Sequence, residues 1–295
     1  MYEQASKLRQ IMNSKNSSEN VPKNVKVFCV TSGKGGVGKT NLSVNMAIAM
    51  QSMGKRVLLV DADLGLANID VVSGLYPRYN ISHFLSFGKP IEEILIKGPR
   101  GITILPGASG LGSLADMTTA EVNRLVAGFG RIGMAFDIII IDTGAGISRN
   151  IISFINSSDE VIVVSTPEPS SVTDAYAIIK MIHTYQKKIH VIVNRVDNFK
   201  EAKYTMEKLE RVSRKFLNIK VNYLGYVLED RIVYRANMAQ TPFYIKYPNG
   251  LASKCITNIG KTLLFGDKVP NKDTNTIETW FKKLAFFIRK DQGAK

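Results

Sequence analysis

The sequence predicts an α/β fold: a doubly wound, mostly parallel sheet flanked by helices, with a short amphipathic helix beyond it at each end. Three observations predict it. Apolar, β-rich runs alternate with stretches of helical apolar spacing from Val25 to Leu264, the pattern of successive βαβ units. One apolar run leads into a glycine-rich loop that opens a helix. Two others, Arg56 to Val60 and Ile138 to Ile141, stop at carboxylates, and open α/β sheets bind ligands beyond the carboxyl ends of their strands.

Composition narrows the class. With 295 residues and 45% apolar content, the chain can form one large α/β domain with appendages or two small domains, and no internal repeat is visible. Its 39 Lys and Arg outnumber 25 Asp and Glu for a net charge of +14, which favours phosphates, nucleic acid or an acidic membrane surface without choosing among them. Cys29 and Cys255 stand far apart, so neither a disulfide framework nor a thiolate-ligated cluster is expected. This cysteine usage suits a reducing cytosol, and Cys29, inside a strand, reads as a buried core thiol. Residues 1–24 are too polar for a signal peptide, and no apolar run reaches the roughly 20 residues that span a bilayer. A soluble or peripheral protein is expected.

Taken in order, Ala5, Leu8, Ile11 and Met12 share one face of a helix over residues 1–12. Residues 13–24, rich in Asn, Ser and Lys with Pro22, form a tether. So short a helix is marginal alone in water; it orders on a partner or packs on its own domain. Val25 to Val30 is a strand, and Gly33-Lys34-Gly35-Gly36-Val37-Gly38-Lys39-Thr40 fits the G-x-x-x-x-G-K-[ST] phosphate-binding pattern. Glycines let backbone N–H groups turn inward around phosphate oxygens, Lys39 reaches the β- and γ-phosphates, and Thr40 is placed to ligate Mg²⁺. Leu42 to Met53 continues as a helix that ends at Gly54, its N-terminus turned to the anion. Lys34 is not needed within one subunit; its stem can reach another phosphate, or it is a solvated loop lysine.

Asp61 and Asp63, two apart at a strand end, point the same way. One can hold a Mg²⁺-bound water and the other orient an attacking water; as alternatives they are helix caps. Ile81 to Leu95 has helical spacing, Gly101 to Leu105 is a short strand, and Thr118 to Met134 is a helix with Thr118 and Glu121 spaced as a capping box. Asp137 to Gly146 is an apolar strand that ends in Asp142 and a glycine-rich loop, the Walker B arrangement. Asp142 there binds Mg²⁺ through water, and Gly144 or Gly146 senses the γ-phosphate. Strands follow at Glu160 to Thr166 and His190 to Asn194, around a helix from Ser171 to Tyr185. Asn194-Arg195 ends a strand where an amide pairs with both a donor and an acceptor on a purine edge. Pro167 can wall the base; both positions also suit ordinary turns. Lys200 to Phe216 is a helix, Val221 to Leu228 a strand and Leu251 to Leu264 a helix that closes a domain spanning 25–265. A polar linker, 266–276, leads to a helix over 277–290. Ile277, Trp280, Phe281, Leu284, Phe287 and Ile288 line one face of it, with Lys282, Lys283, Arg289 and Lys290 beside them. Such a helix suits an anionic bilayer interface and is too short to span it; otherwise it docks on the domain or on a partner.

The Lys-Gly-Gly-Val-Gly-Lys-Thr form resembles the deviant Walker A motif of the MinD/ParA group of P-loop ATPases, a resemblance that runs from about Val25 to Phe265. It implies an ATP-dependent sandwich homodimer in which Lys34 crosses to the partner's nucleotide, with Lys34, Lys39 and Asp63 catalytic and Thr40, Asp61 and Asp142 at the metal. It implies as well that Leu64 to Asp70 is a first switch segment, that Asn194 and Arg195 contact adenine, and that Asp230 lies on the last nucleotide-facing loop. The terminal helix favours the MinD side. Asp142-Thr143-Gly144-Ala145-Gly146 and Gln4-Ala5-x-x-Leu8-Arg9 resemble the flagellar number regulators of the FlhG family, also called FleN or YlxH. Gly144 stands where many MinD-like chains have proline, and Glu3 where the flagellar family usually has aspartate. In that family the N-terminal segment activates the GTPase FlhF, which makes Gln4, Leu8 and Arg9 partner residues here.

The resemblance thus implies a Mg²⁺-dependent ATPase switch with ATP or ADP and Mg²⁺ as cofactors. Its partners would be a second copy, a FlhF-type GTPase, flagellar switch-complex components and an anionic membrane surface, and not nucleic acid. It would be cytoplasmic and peripheral to the inner face of the cell membrane. Three other expectations stand beside it: a MinD-type division-site regulator, a ParA-type DNA partitioning ATPase, and a nucleotide-stabilised scaffold with little turnover.

Overall fold

The computed structural model describes residues 25–63, 68–107, 128, 132 and 135–266. Its strands are β1 (Lys26–Ser32), β2 (Val57–Ala62), β3 (Ile96–Lys97), β4 (Thr103–Leu105), β5 (Ile138–Ala145), β6 (Glu160–Ser165), β7 (Lys188–Val196) and β8 (Asn222–Leu228). Among the described residues they form one sheet in the order β3-β4-β2-β5-β1-β6-β7-β8. Every pair is parallel except β3 with β4. The order turns outward in both directions from β1, so a crevice opens at the carboxyl ends beside it.

The central strands are apolar on both faces because both are covered. On one face Leu58, Ile139, Val161 and Val191 pack under α5 (Arg149–Ser157), α6 (Pro169–His183) and α7 (Phe199–Leu217). On the other, Leu59, Ile140, Ile162 and Ile192 pack under α1 (Lys39–Ser52) and α10 (Leu251–Phe265). The helix α1 is buried over most of its length, Ser43 and Asn45 included, lodged between the sheet and α10. Cys29 is fully buried and Cys255 partly buried; both are free thiols.

Sequence and structure part in three respects. The stretch Ile81 to Leu95, which reads as one helix, is two short ones, α3 being taken below as Ile81–Leu85 and α4 as Ile91–Ile94, after α2 (Ile69–Ser73). Gly88 turns the chain with φ 68 and Pro90 has no N–H to continue the ladder. The strand expected from Gly101 begins at Thr103, after a tight turn over Pro99–Gly101. The antiparallel edge strand β3, and the helices α8 (Arg231–Met238) and α9 (Phe243–Lys246), carry too few apolar repeats to be read in advance. The helix expected over Thr118 to Met134 lies almost wholly outside the described residues. So do the segments 1–24 and 267–295, with Gln4, Leu8, Arg9 and the apolar face from Ile277 to Ile288. Among the described residues no helix is long and apolar enough to cross a membrane.

Candidate nucleotide site

The loop from Gly33 to Lys39 leaves β1 and enters α1 through Gly38, which adopts φ 94. A side chain at Gly38 would meet the Asn194 amide at 2.5 Å, and one at Gly33 would strike the Asp174 carbonyl at 2.3 Å. Only glycine fits at either point. No side chain caps α1, so the N–H groups of its first turn are open to an anion.

Behind the loop lies a buried polar frame. The Lys39 ammonium donates to the Ser32 hydroxyl at 3.0 Å, and that hydroxyl donates to the Lys34 carbonyl at 2.7 Å. Burial pulls the Lys39 pKa down, and the charges of Asp142 and Asp63 oppose it. Asp142, 1% exposed, accepts from the Ser43 hydroxyl at 2.9 Å, with the Thr40 hydroxyl beside it. Its carboxyl is pushed up to about 6 by burial, against the pull of those two hydroxyls and of Lys39. Asp61 is the residue paired with Asp142 across β2 and β5. It accepts backbone N–H groups from Asp63, Asn68 and Ile69, each at 3.2 Å. Burial first, then the Asp142 charge, push its carboxyl up to about 7. The Asp61 oxygens thus hold both ends of the loop that follows β2. Asp63 itself faces the Walker B loop, where a side chain at Gly144 would lie 3.4 Å from its carboxylate.

These residues suit Mg²⁺. Thr40, Asp142 and Asp61 offer hard oxygen donors, while no cluster of three His, Cys, Asp or Glu able to hold an ion occurs among the described residues. An ion held by one or two carboxylates, phosphates and water is the Mg²⁺ habit, unlike the all-protein cages of Ca²⁺ or Zn²⁺.

The outer residues are arranged differently. The Lys34 ammonium is turned onto its own chain, 2.7 Å from Glu168 and 3.0 Å from Ser170 at the start of α6. The Asn194 amide donates to the Val37 carbonyl at 2.7 Å, which leaves its oxygen as the free acceptor. Arg195 sits at φ 56 with its guanidinium 4.0 Å from Glu229. Pro167 follows β6, partly buried. Asp230 caps α8 by accepting from the Ile232 N–H, and its other oxygen accepts from Ala252. It is thereby tied to its own helix and to α10, and no described contact joins it to the loop. Ser32, Ser43, Glu168, Ser170 and Asp174 were not marked by the motif. For Ser43 alone there was a signal, its position one turn beyond Thr40.

Residues 28–243 match the CobQ/CobB/MinD/ParA nucleotide binding domain. The antiactivator FleN of Pseudomonas aeruginosa is 38% identical over 78% of this chain and 82% of its own. The flagellum site-determining protein YlxH of Helicobacter pylori is 36% identical over 98% of this chain and 100% of its own. The solved MinD cell division protein of Aquifex aeolicus superposes with a TM-score of 0.67 at 29% identity, covering 84% of this chain and 100% of that one. With the fold matched as well, the chain belongs to the CobQ/CobB/MinD/ParA nucleotide-binding family, on the side that includes the flagellar proteins FleN and YlxH.

Proposed function

We propose that this chain is a Mg²⁺-dependent ATP hydrolase acting as a switch in the control of flagellar number and placement. The observation that carries the reading is the meeting of Lys39 and Thr40 from α1, Asp63 from the β2 loop and Asp142 from β5 around one glycine cradle. Lys39 and the open N–H groups of α1 bind the phosphates. Thr40 and Asp142 would hold the metal, backed by Asp61, and the metal supplies charge neutralisation on the β- and γ-phosphate oxygens. Asp63 orients the attacking water. Asn194 turns its remaining acceptor towards the adenine amine. Similarity to FleN and YlxH over most of the chain supports the flagellar output.

Phosphate release from Mg²⁺-ATP is the test. Asp63→Ala is expected to lower it about a hundredfold or more while nucleotide binding persists. No turnover in the wild type would overturn the reading and leave a nucleotide-stabilised scaffold.

The finer parts of the proposal concern what the nucleotide state controls. ATP joins two subunits, and each Lys34 leaves Glu168 to reach the other's phosphates. Dimerisation then presents two weak terminal helices together, and linked weak sites gain avidity. Trp280→Glu with Phe287→Glu is expected to abolish ATP-dependent sedimentation with anionic liposomes. A peptide of residues 1–23 is expected to raise GTP hydrolysis by a FlhF-type GTPase through Gln4, Leu8 and Arg9; no stimulation would remove the N-terminal part of the proposal.

A further inference from the structure

Serine in a helix ordinarily returns its hydroxyl to the carbonyl four residues back. Two polar residues of α1 do this: Ser52 donates to the Ile48 carbonyl at 2.9 Å and Asn45 to the Asn41 carbonyl at 2.7 Å. Ser43, on the same helix, does not. Its hydroxyl crosses to β5 and donates to Asp142 Oδ1 at 2.9 Å, with Ser43 0% and Asp142 1% exposed. Residues three apart on a helix share a face, so Thr40 and Ser43 stand one above the other against the same carboxylate.

The two hydroxyls are not equivalent. Thr40 lies at the mouth of the cradle and belongs to the metal site itself. Ser43 lies one turn deeper, in the core, and its hydroxyl is spent on Asp142 alone. We propose that Ser43 is a positioning residue for Mg²⁺: it fixes the Asp142 carboxylate in the orientation that serves the metal and keeps it from turning to Lys39, the cation beside it. This inference rests on the ATPase reading. Groups that orient a metal-site carboxylate typically change metal affinity about ten- to a hundredfold when removed. Removing Ser43 therefore acts on metal binding first, and on turnover only through it.

The experiment uses the full chain and a fluorescent ATP analogue, titrated with Mg²⁺ and, separately, bound in EDTA. Ser43→Ala is expected to raise the half-saturating Mg²⁺ concentration about tenfold and to leave binding in EDTA unchanged. Ser43→Thr and Ser43→Val place the same number of heavy atoms on Cβ, and only the first keeps a hydroxyl. The threonine variant is expected to follow the wild type and the valine variant to follow alanine. An unchanged Mg²⁺ titration for Ser43→Ala, an equal loss of binding in EDTA, or equal behaviour of the threonine and valine variants would overturn the inference. Wild-type binding that ignores Mg²⁺ would overturn the inference and the ATPase reading together. A normal wild type with an unaltered Ser43→Ala overturns this inference alone.

Discussion

The inner and outer halves of the nucleotide site are built from the same kinds of side chain and held by different physics. Inside, Lys39, Ser43, Asp61 and Asp142 are buried, at 8, 0, 5 and 1% exposure. Outside, the Lys34 and Glu168 side chains are 41 and 59% exposed. Charges interact strongly where water is excluded and weakly where it is not. The inner set is consequently a fixed frame, complete within one subunit. The outer contacts are weak enough to be exchanged for others. A lysine whose own-chain partner is an exposed glutamate can leave it for a phosphate; Lys39, walled in beside two aspartates, has nowhere else to go.

The hardest test of the inner frame is to remove its cation. Lys39→Ala takes away the charge that offsets Asp142 and Asp63 and, on the proposed function, the contact to phosphate. ATP hydrolysis is expected to fall at least about a hundredfold, measured as phosphate release at saturating ATP. Activity within tenfold of wild type would show that the frame does not carry the chemistry.

The frame also has a pH signature in the nucleotide-free protein. Asp61 keeps its proton up to about pH 7 when folded, against 3.8 for an ordinary aspartate. A carboxyl whose folded pKa is raised binds more protons in the native state, so stability falls as pH rises through that window. Asp142, raised to about 6, acts in the same direction. Glu160 opposes them at lower pH: burial pushes it up, but hydrogen bonds from His190 and Lys26 prevail and hold it at about 2. The stability it contributes is lost as pH falls from its ordinary 4.5 towards 2. Urea unfolding of the nucleotide-free chain is therefore expected to show greatest stability near pH 4. From pH 5 to pH 7.5 it should lose on the order of 3 kcal/mol, and Asp61→Asn should flatten much of that slope. A slope unchanged in the variant would mean that Asp61 does not titrate as its burial implies.

Much of the inner half is legible in the sequence because motif spacing and strand period are local. Lys39 and Thr40 are fixed by the glycine pattern, and Asp61 and Asp142 by apolar runs that stop at a carboxylate. What each carboxylate does is less legible. Asp61 and Asp63 alternate as strand residues should, yet β2 ends at Ala62 and the Asp61 oxygens are occupied by amides of the following loop. The outer half is nearly opaque. Glu168 lies 134 residues from Lys34 and reaches it only because β6 lies next to β1, a pairing that no local pattern specifies. At Asp230 the sequence marks a carboxylate after a strand but not its local partners, the N–H groups of Ile232 and Ala252. The Ile81 to Leu95 stretch kept its apolar period through a glycine and a proline that end helices regardless.

If the outer contacts are exchangeable, loosening one should favour the dimer. Glu168→Gln removes the charge that holds Lys34, a charge whose own pKa is lowered first by the Lys34 hydrogen bond. ATP-dependent dimerisation, followed by sedimentation equilibrium, is expected to tighten by up to about fivefold, the scale of one exposed ion pair. Weaker dimerisation would mean that Glu168 serves the dimer and does not compete with it.

Arg195 gives the smallest effect and the finest distinction. It occupies the left-handed region at φ 56, exposed, with Glu229 at 4.0 Å. An L-residue pays about 1–2 kcal/mol there, and glycine pays none of it but loses about 0.5–1 kcal/mol in chain entropy. Arg195→Gly should therefore change the urea midpoint by less than the equivalent of about 1 kcal/mol, in the stabilising direction. Nucleotide affinity separates two meanings of that strain. If Arg195 only turns the chain, glycine keeps affinity; if the guanidinium belongs to the base site, affinity falls while stability holds. A loss of stability instead would place Arg195 with the inner frame, and the boundary between the two halves would have to be moved outward to include it.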